Sequence, residues 1–151
     1  MNMILPETAQ GGAIMPDYFH VTMDPSELKA VSALGLAHMG DGVFELLVRS
    51  WLCVHGKATS SGLHRATIAH VSAPAQARQM ERMLPLLTEE EAAVYRRGRN
   101  AHVHGAPKNA TAGEYAKATG LECLFGALFL SGRTERLNEL FSATMEENHG
   151  L

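Results

Sequence analysis

The sequence predicts an all-α protein. Three observations carry this: from Asp24 onward apolar residues recur at three- and four-residue spacing, the alternation typical of strands is almost absent, and helix-start signatures stand between the apolar segments. Asp24-Pro25 followed by Ser26 and Glu27 is a helix start. Leu28, Val31, Leu34, Leu36, Met39, Val43, Phe44, Leu47, Val48 and Trp51 then hold a helical period up to Gly56. Gly35, Gly40 and Gly42 interrupt it, which predicts either two helices or one bent helix. A further helix is predicted from Gly62 to Val71, and another from Pro74 to Leu84-Pro85. Thr88 with Glu91 three residues on reads as a capping box, opening a helix to Asn100. Residues 101–113, with Gly105, Pro107, Asn109 and Gly113, read as a loop. Glu114–Leu130 is a strongly apolar helix closed by Gly132, and Glu135–Glu147 a last amphipathic one.

The 151 residues suffice for one domain with its own core, here residues 25–151. Residues 1–24 have no periodicity and are expected to form a flexible or weakly docked extension. They have neither a basic start nor a continuous apolar stretch, and no run is long enough to span a bilayer, so a cytoplasmic protein is expected. Cys53 and Cys123 lie in separate apolar helices and read as buried thiols of a reducing compartment. The net charge of -3 does not announce a nucleic-acid binder. From Arg65 to Lys108, however, seven cationic residues face four acidic ones, which is either a footprint for an anionic partner or a solvated helix face.

Asp41 and Glu122 are the candidate catalytic residues. Each is a carboxylate among apolar neighbours, and such a group must be paired, protonated or metal-bound. Flanking Gly40, Gly42, Gly120 and Gly126 would let two helices approach and bring the acids together. Two acids at a wet edge suit magnesium, and the alternative is a structural pair bound to an arginine or a helix end. Glu45, on the Asp41 face, is expected to support the site by holding Arg49, or else to be a ligand. Glu114 is a weaker candidate for the same edge, and Glu89-Glu90-Glu91 read as helix capping. Arg96, Arg97, Arg99, Asn100, Lys108 and Asn109 form the best anion-binding candidate, since clustered guanidinium groups beside a loop can grip phosphates, and the alternative is favourable placement of cations at a helix C-terminus. The tight pair His102 and His104 lacks a convincing third ligand for zinc. No phosphate-cradling glycine loop, serine elbow or dinucleotide fingerprint is present.

In order along the chain, these motifs resemble a known family. Leu36-Ala37-His38-Met39-Gly40-Asp41-Gly42-Val43-Phe44-Glu45 resembles the signature helix of ribonuclease III domains. Leu63-His64-Arg65-Ala66-Thr67 and Val71-Ser72-Ala73-Pro74-Ala75-Gln76-Ala77 look like the next block of the Mini-ribonuclease III branch. Arg96-Arg97-Gly98-Arg99-Asn100-Ala101 with Pro107-Lys108-Asn109-Ala110 is similar to its loop segment, and Ala118–Gly126 to its closing acidic helix. The resemblance runs from Leu28 to Leu140. It implies an all-helical homodimer that cuts double-stranded RNA with magnesium, with Asp41 as catalytic aspartate and Glu122 as metal-binding glutamate. It further implies maturation of the large-subunit (23S) ribosomal RNA precursor; since a folded RNA is then expected to be recognised by shape, a ribosomal protein that reshapes it is a candidate helper. Ala37 and Thr119 stand where full-length ribonuclease III carries two further acids, and Gly42 replaces the usual alanine. The competing readings are a catalytically silent RNA-binding or ribosome-associated module on this fold, and an all-helical nucleotide pyrophosphohydrolase. The latter wants Glu-x-x-Glu pairs aimed into one pocket, and the only acidic cluster here is the run at 89–91.

Overall fold

The structure is a computed structural model that describes residues 15–56, 59–101 and 109–148, with side chains to Met145. Among these residues there are seven α-helices, one 3-10 turn and no strand, as the apolar spacing predicts. The helices are α1 (Pro25–Ala30), α2 (Ala33–Val54), α3 (Ser60–Val71), α4 (Ala73–Met83), α5 (Glu89–Arg99), α6 (Ala112–Leu130) and α7 (Thr134–Asn148). The turn Leu84–Leu86 joins α4 to α5.

The break in the first predicted helical stretch falls at Ser32, not at a glycine. Val31 and Ser32 are both extended, and the Ser32 hydroxyl accepts the Gly35 N–H at 2.9 Å, capping α2. Past that cap, Gly35, Gly40 and Gly42 are carried in one continuous helix, because packing outweighs the modest cost of glycine in a helix. The capping box at Thr88 is present: the Glu91 N–H reaches Thr88 Oγ1, and Glu91 Oε1 accepts the Thr88 N–H. A second box, Thr111 with Glu114, opens α6 and engages the Glu114 carboxylate in capping. The segment before α1 touches the domain at its end, where the Met23 N–H donates to the Leu130 carbonyl at 2.8 Å.

Helix α6 is the axis of the fold. Ten of its residues from Ala118 to Leu128 are buried, on every side of the helix. It packs against α2 and α5 most extensively, then α4 and α7. Burial all round explains why its sequence is apolar rather than striped. The core centres on Phe44, which meets Phe125 and Phe141 edge-on at 5.6 and 6.0 Å between ring centroids. Leu52, Met80, Met83, Leu121, Leu140 and Met145 close around it.

Glu91 extends its capping role into a tertiary clamp. Only 2% exposed, it takes a two-pronged ion pair from Arg136 of α7, at 2.9 Å to each oxygen. Arg136 also donates to the Leu86 carbonyl at 2.7 Å. The guanidinium holds the Glu91 carboxyl below the usual carboxylate range, so the acidic run at 89–91 anchors a helix end. Two cysteines were expected to be buried, and only Cys123 is; burial pushes its thiol up to about 11. Cys53 is exposed on the last turn of α2, beside exposed Val54, while Leu52 turns into the core.

Candidate active site

Helices α2 and α6 cross at near-backbone contact, and glycine permits it. A β-carbon on Gly40 would stand 1.6 Å from the Glu122 carbonyl oxygen, and one on Gly126 would stand 2.0 Å from the Leu36 carbonyl oxygen. The crossing sets Asp41, the residue after Gly40, beside Glu122. The other two flanking glycines act differently from expectation. Gly120 admits the Tyr95 ring of α5, whose atoms would lie 2.5–2.6 Å from a β-carbon there, and Gly42 meets nothing within 4 Å. Four glycines in a row of apolar residues look alike in sequence; only the position of the neighbouring helix separates them.

The two acids share one environment unequally. Asp41 is exposed, contrary to the reading of two buried carboxylates, because it lies on the solvent side of the crossing. Glu122 is half-buried, and its carboxyl is pushed up from 4.5 to about 8. Burial is the main cause, followed by the Asp41 charge and hydrogen bonding with Asp41, while the Gln76 side chain opposes the shift. At neutral pH Glu122 therefore holds its proton. In the unfolded chain the same carboxyl ionises near 4.5. Between these values the folded state binds more protons than the unfolded state, so stability is full below 4.5 and falls as pH rises toward 8. Thermal unfolding in a chelator should show this decline, and Glu122→Gln should flatten it. An identical slope in the variant would remove Glu122 as its source.

Glu45 is bound to Arg49 at 2.9 Å, one turn from Asp41. Ala37 and Thr119 are both buried, and the Thr119 hydroxyl donates back to the Tyr115 carbonyl at 3.0 Å. Neither adds a ligand, and among the described residues no three acidic, histidine or cysteine side chains converge as a metal cage. A pair of oxygen donors still fits a divalent ion of the magnesium kind, which commonly uses one or two carboxylates and fills its shell with water and substrate phosphate.

The candidate RNA-binding residues divide. Arg96 is exposed at the end of α5, and Arg99 is exposed, its guanidinium 5.7 Å from the Tyr95 ring centroid and its Nε donating to Asn100 Oδ1 at 3.3 Å. Asn100 closes α5 as its C-cap, and Asn109 is exposed. Arg97 points another way, its Nη2 donating to the Val31 carbonyl at 2.8 Å and tying α5 to the α1–α2 joint. Lys108 lies outside the described residues, as do His102 and His104. Gln76, from α4, is the side chain at the acid pair that the sequence reading did not single out; glutamine has no charge to draw the eye, although it lies in one of the family-like blocks.

An apolar groove of about 870 Å³ runs beside the site on the outer face of α2. Met39, Leu46, Phe129 and Leu137 line it together with Tyr18 and Phe19. On α6, residues 123–128 are all buried inside the domain. Leu46, Tyr18 and Phe19 remain 50%, 74% and 71% exposed.

The ribonuclease III domain model matches residues 34–133, about two thirds of the chain. A Mini-ribonuclease 3 of Symbiobacterium thermophilum is 46% identical over 113 residues, covering 75% of this chain and 87% of that protein. One from Enterococcus faecalis is 43% identical over 118 residues, covering 77% and 89%. A crystal structure of a Fusobacterium nucleatum protein superposes with a TM-score of 0.72 at 25% identity, covering 81% of this chain and 98% of that one. With its helices, its glycine crossing and its acid pair in that frame, the chain belongs to the ribonuclease III family.

Proposed function

We propose that this endoribonuclease cuts double-stranded RNA as a magnesium-dependent homodimer, and that its substrate is the 23S ribosomal RNA precursor. The observation that carries the reading is the Gly40–Gly126 crossing, which places an exposed aspartate against a half-buried glutamate that stays protonated while alone with it. A cation between them would offset the repulsion that keeps Glu122 neutral. Asp41 and Glu122 would hold the magnesium, which supplies Lewis-acid polarisation of the phosphodiester and acidifies water. Asp41, on the open side, faces the incoming backbone and orients the attacking water. Glu122, half-buried and held in place by the helix crossing, would act as a fixed anionic ligand. Arg96 and Arg99 grip flanking phosphates, and Arg97 keeps α5 in place for them.

Each site opens to one strand, so a duplex cut uses two sites related by a two-fold axis. The groove on α2 suits a second copy of this chain: it adjoins the residues flanking Asp41, and its exposed Leu46, Tyr18 and Phe19 form the kind of apolar patch that marks an interface. Recognition is expected to follow the shape of a folded RNA, because A-form helices hide their base edges in a deep major groove. A ribosomal protein that remodels the RNA fits this picture as a helper.

The test compares a ribosomal-precursor stem with an arbitrary duplex of equal length, in magnesium and near-physiological salt. The stem should be cut faster and at defined positions. With Arg96 and Arg99 both changed to alanine, binding should weaken and its salt slope flatten by about two units or somewhat less, roughly one per lost phosphate contact. Equal rates with scattered cuts would make the protein a general duplex nuclease and overturn the processing role.

A further inference from the structure

Gln76 is buried to 2% exposure on α4, yet its amide nitrogen has no hydrogen-bond partner in full geometry. An unsatisfied buried donor is destabilising, so its retention calls for a reason. The neighbouring Gln79 shows what a structural glutamine does here: its Nε2 donates to the His70 carbonyl at 3.1 Å and ties α4 to α3. Gln76 makes no such tie with its nitrogen. Its side chain instead stands beside the Glu122 carboxyl.

The chemistry of a loaded site gives the donor a partner. A metal-binding carboxylate offers up to four lone-pair positions, more than one cation occupies. A neutral amide fills one of them without competing for the pair's negative charge, as a lysine would, and without adding charge, as a third acid would. Support of this kind has few other sources, since Ala37 carries no polar group and Thr119 is bonded to its own helix.

We propose that Gln76 is a positioning residue for the acid pair: its buried amide nitrogen, beside the Glu122 carboxyl, fixes the orientation in which Glu122 and Asp41 hold a divalent cation. This role rests on the metal-site reading of Asp41 and Glu122. Outer partners of this sort typically matter by about 10–100-fold in metal affinity.

The experiment measures Mn2+ binding directly, by calorimetry or by the loss of the free-ion spin-resonance signal, on the full chain. Gln76→Met keeps the volume and removes the donor, Gln76→Leu is the second variant, and Asp41→Asn is the control. Both Gln76 variants should bind Mn2+ about tenfold more weakly or worse. Their unfolding temperature in chelator should match or exceed that of the wild type, because an orphaned buried amide has been removed. On duplex RNA at fixed Mn2+, kcat should fall while KM stays within about twofold, since ligand orientation acts on the reacting step. Unchanged Mn2+ affinity with lowered stability, or failure of both variants to fold, would overturn the proposal and make Gln76 a core residue. Wild-type binding no stronger than that of Asp41→Asn would overturn the metal site itself. Binding lost in Asp41→Asn but kept in Gln76→Met would overturn the Gln76 role alone.

Discussion

Asp41→Asn and Glu122→Gln should each slow cleavage of duplex RNA by roughly a thousandfold, about 4 kcal/mol of barrier, while leaving fold and RNA affinity close to normal. The two variants reach this result by different routes. Glu122 is already neutral at pH 7 in the structure, so glutamine reproduces its shape and charge there and the helix crossing has nothing to readjust. What the variant lacks is the ability to become an anion when a cation arrives. Asp41 is exposed, so asparagine leaves no buried gap, and it relieves Glu122 of the neighbouring charge that raises its pKa. Single-turnover cleavage in excess magnesium, beside circular dichroism and a binding isotherm, separates these effects. Near-normal cutting by either variant would sink the acid-pair assignment. Wild-type protein that binds duplex and never cuts it would favour the silent RNA-binding module instead.

The acid pair was legible in the sequence because a carboxylate among apolar residues has few inexpensive fates, and because glycines flank both. Its asymmetry was not legible. Whether Asp41 or Glu122 carries the burial depends on which side of the crossing each occupies, a property of two helices together. Arg97 shows the same limit: in sequence it is one of three equivalent arginines, and only the nearby Val31 carbonyl distinguishes it from Arg96 and Arg99. Capping boxes were readable because both partners lie within four residues; Thr88–Glu91 was recognised, and Thr111–Glu114 has the same spacing. Gln76 was out of reach, since its significance arises from α4 meeting Glu122 across the fold.

The crossing itself carries the second large effect, and adjacent glycines should respond with opposite sign. Gly42→Ala adds a methyl group where nothing stands within 4 Å, so the ordinary helix preference for alanine should apply, a gain of up to about 1 kcal/mol. Gly40→Ala places its methyl carbon 1.6 Å from a backbone oxygen and 2.4 Å from the attached carbon. No rotamer relieves that clash, because both partners are main chain in the middle of helices. The helices must separate, opening the contact between Gly126 and Leu36 as well, and overpacking of this kind costs about 3 kcal/mol. In a chain of this size that lowers the unfolding temperature by roughly 10 °C. The separation also carries Glu122 away from Asp41, so cleavage by Gly40→Ala should collapse even at temperatures where the variant is fully folded, whereas Gly42→Ala should keep the metal site intact. Differential scanning calorimetry of the two variants side by side reads the stability difference, and Mn2+ binding well below both midpoints reads the geometry. If Gly40→Ala melted no lower than Gly42→Ala and bound Mn2+ equally well, the near-contact of α2 with α6 would not be what holds the two carboxylates together.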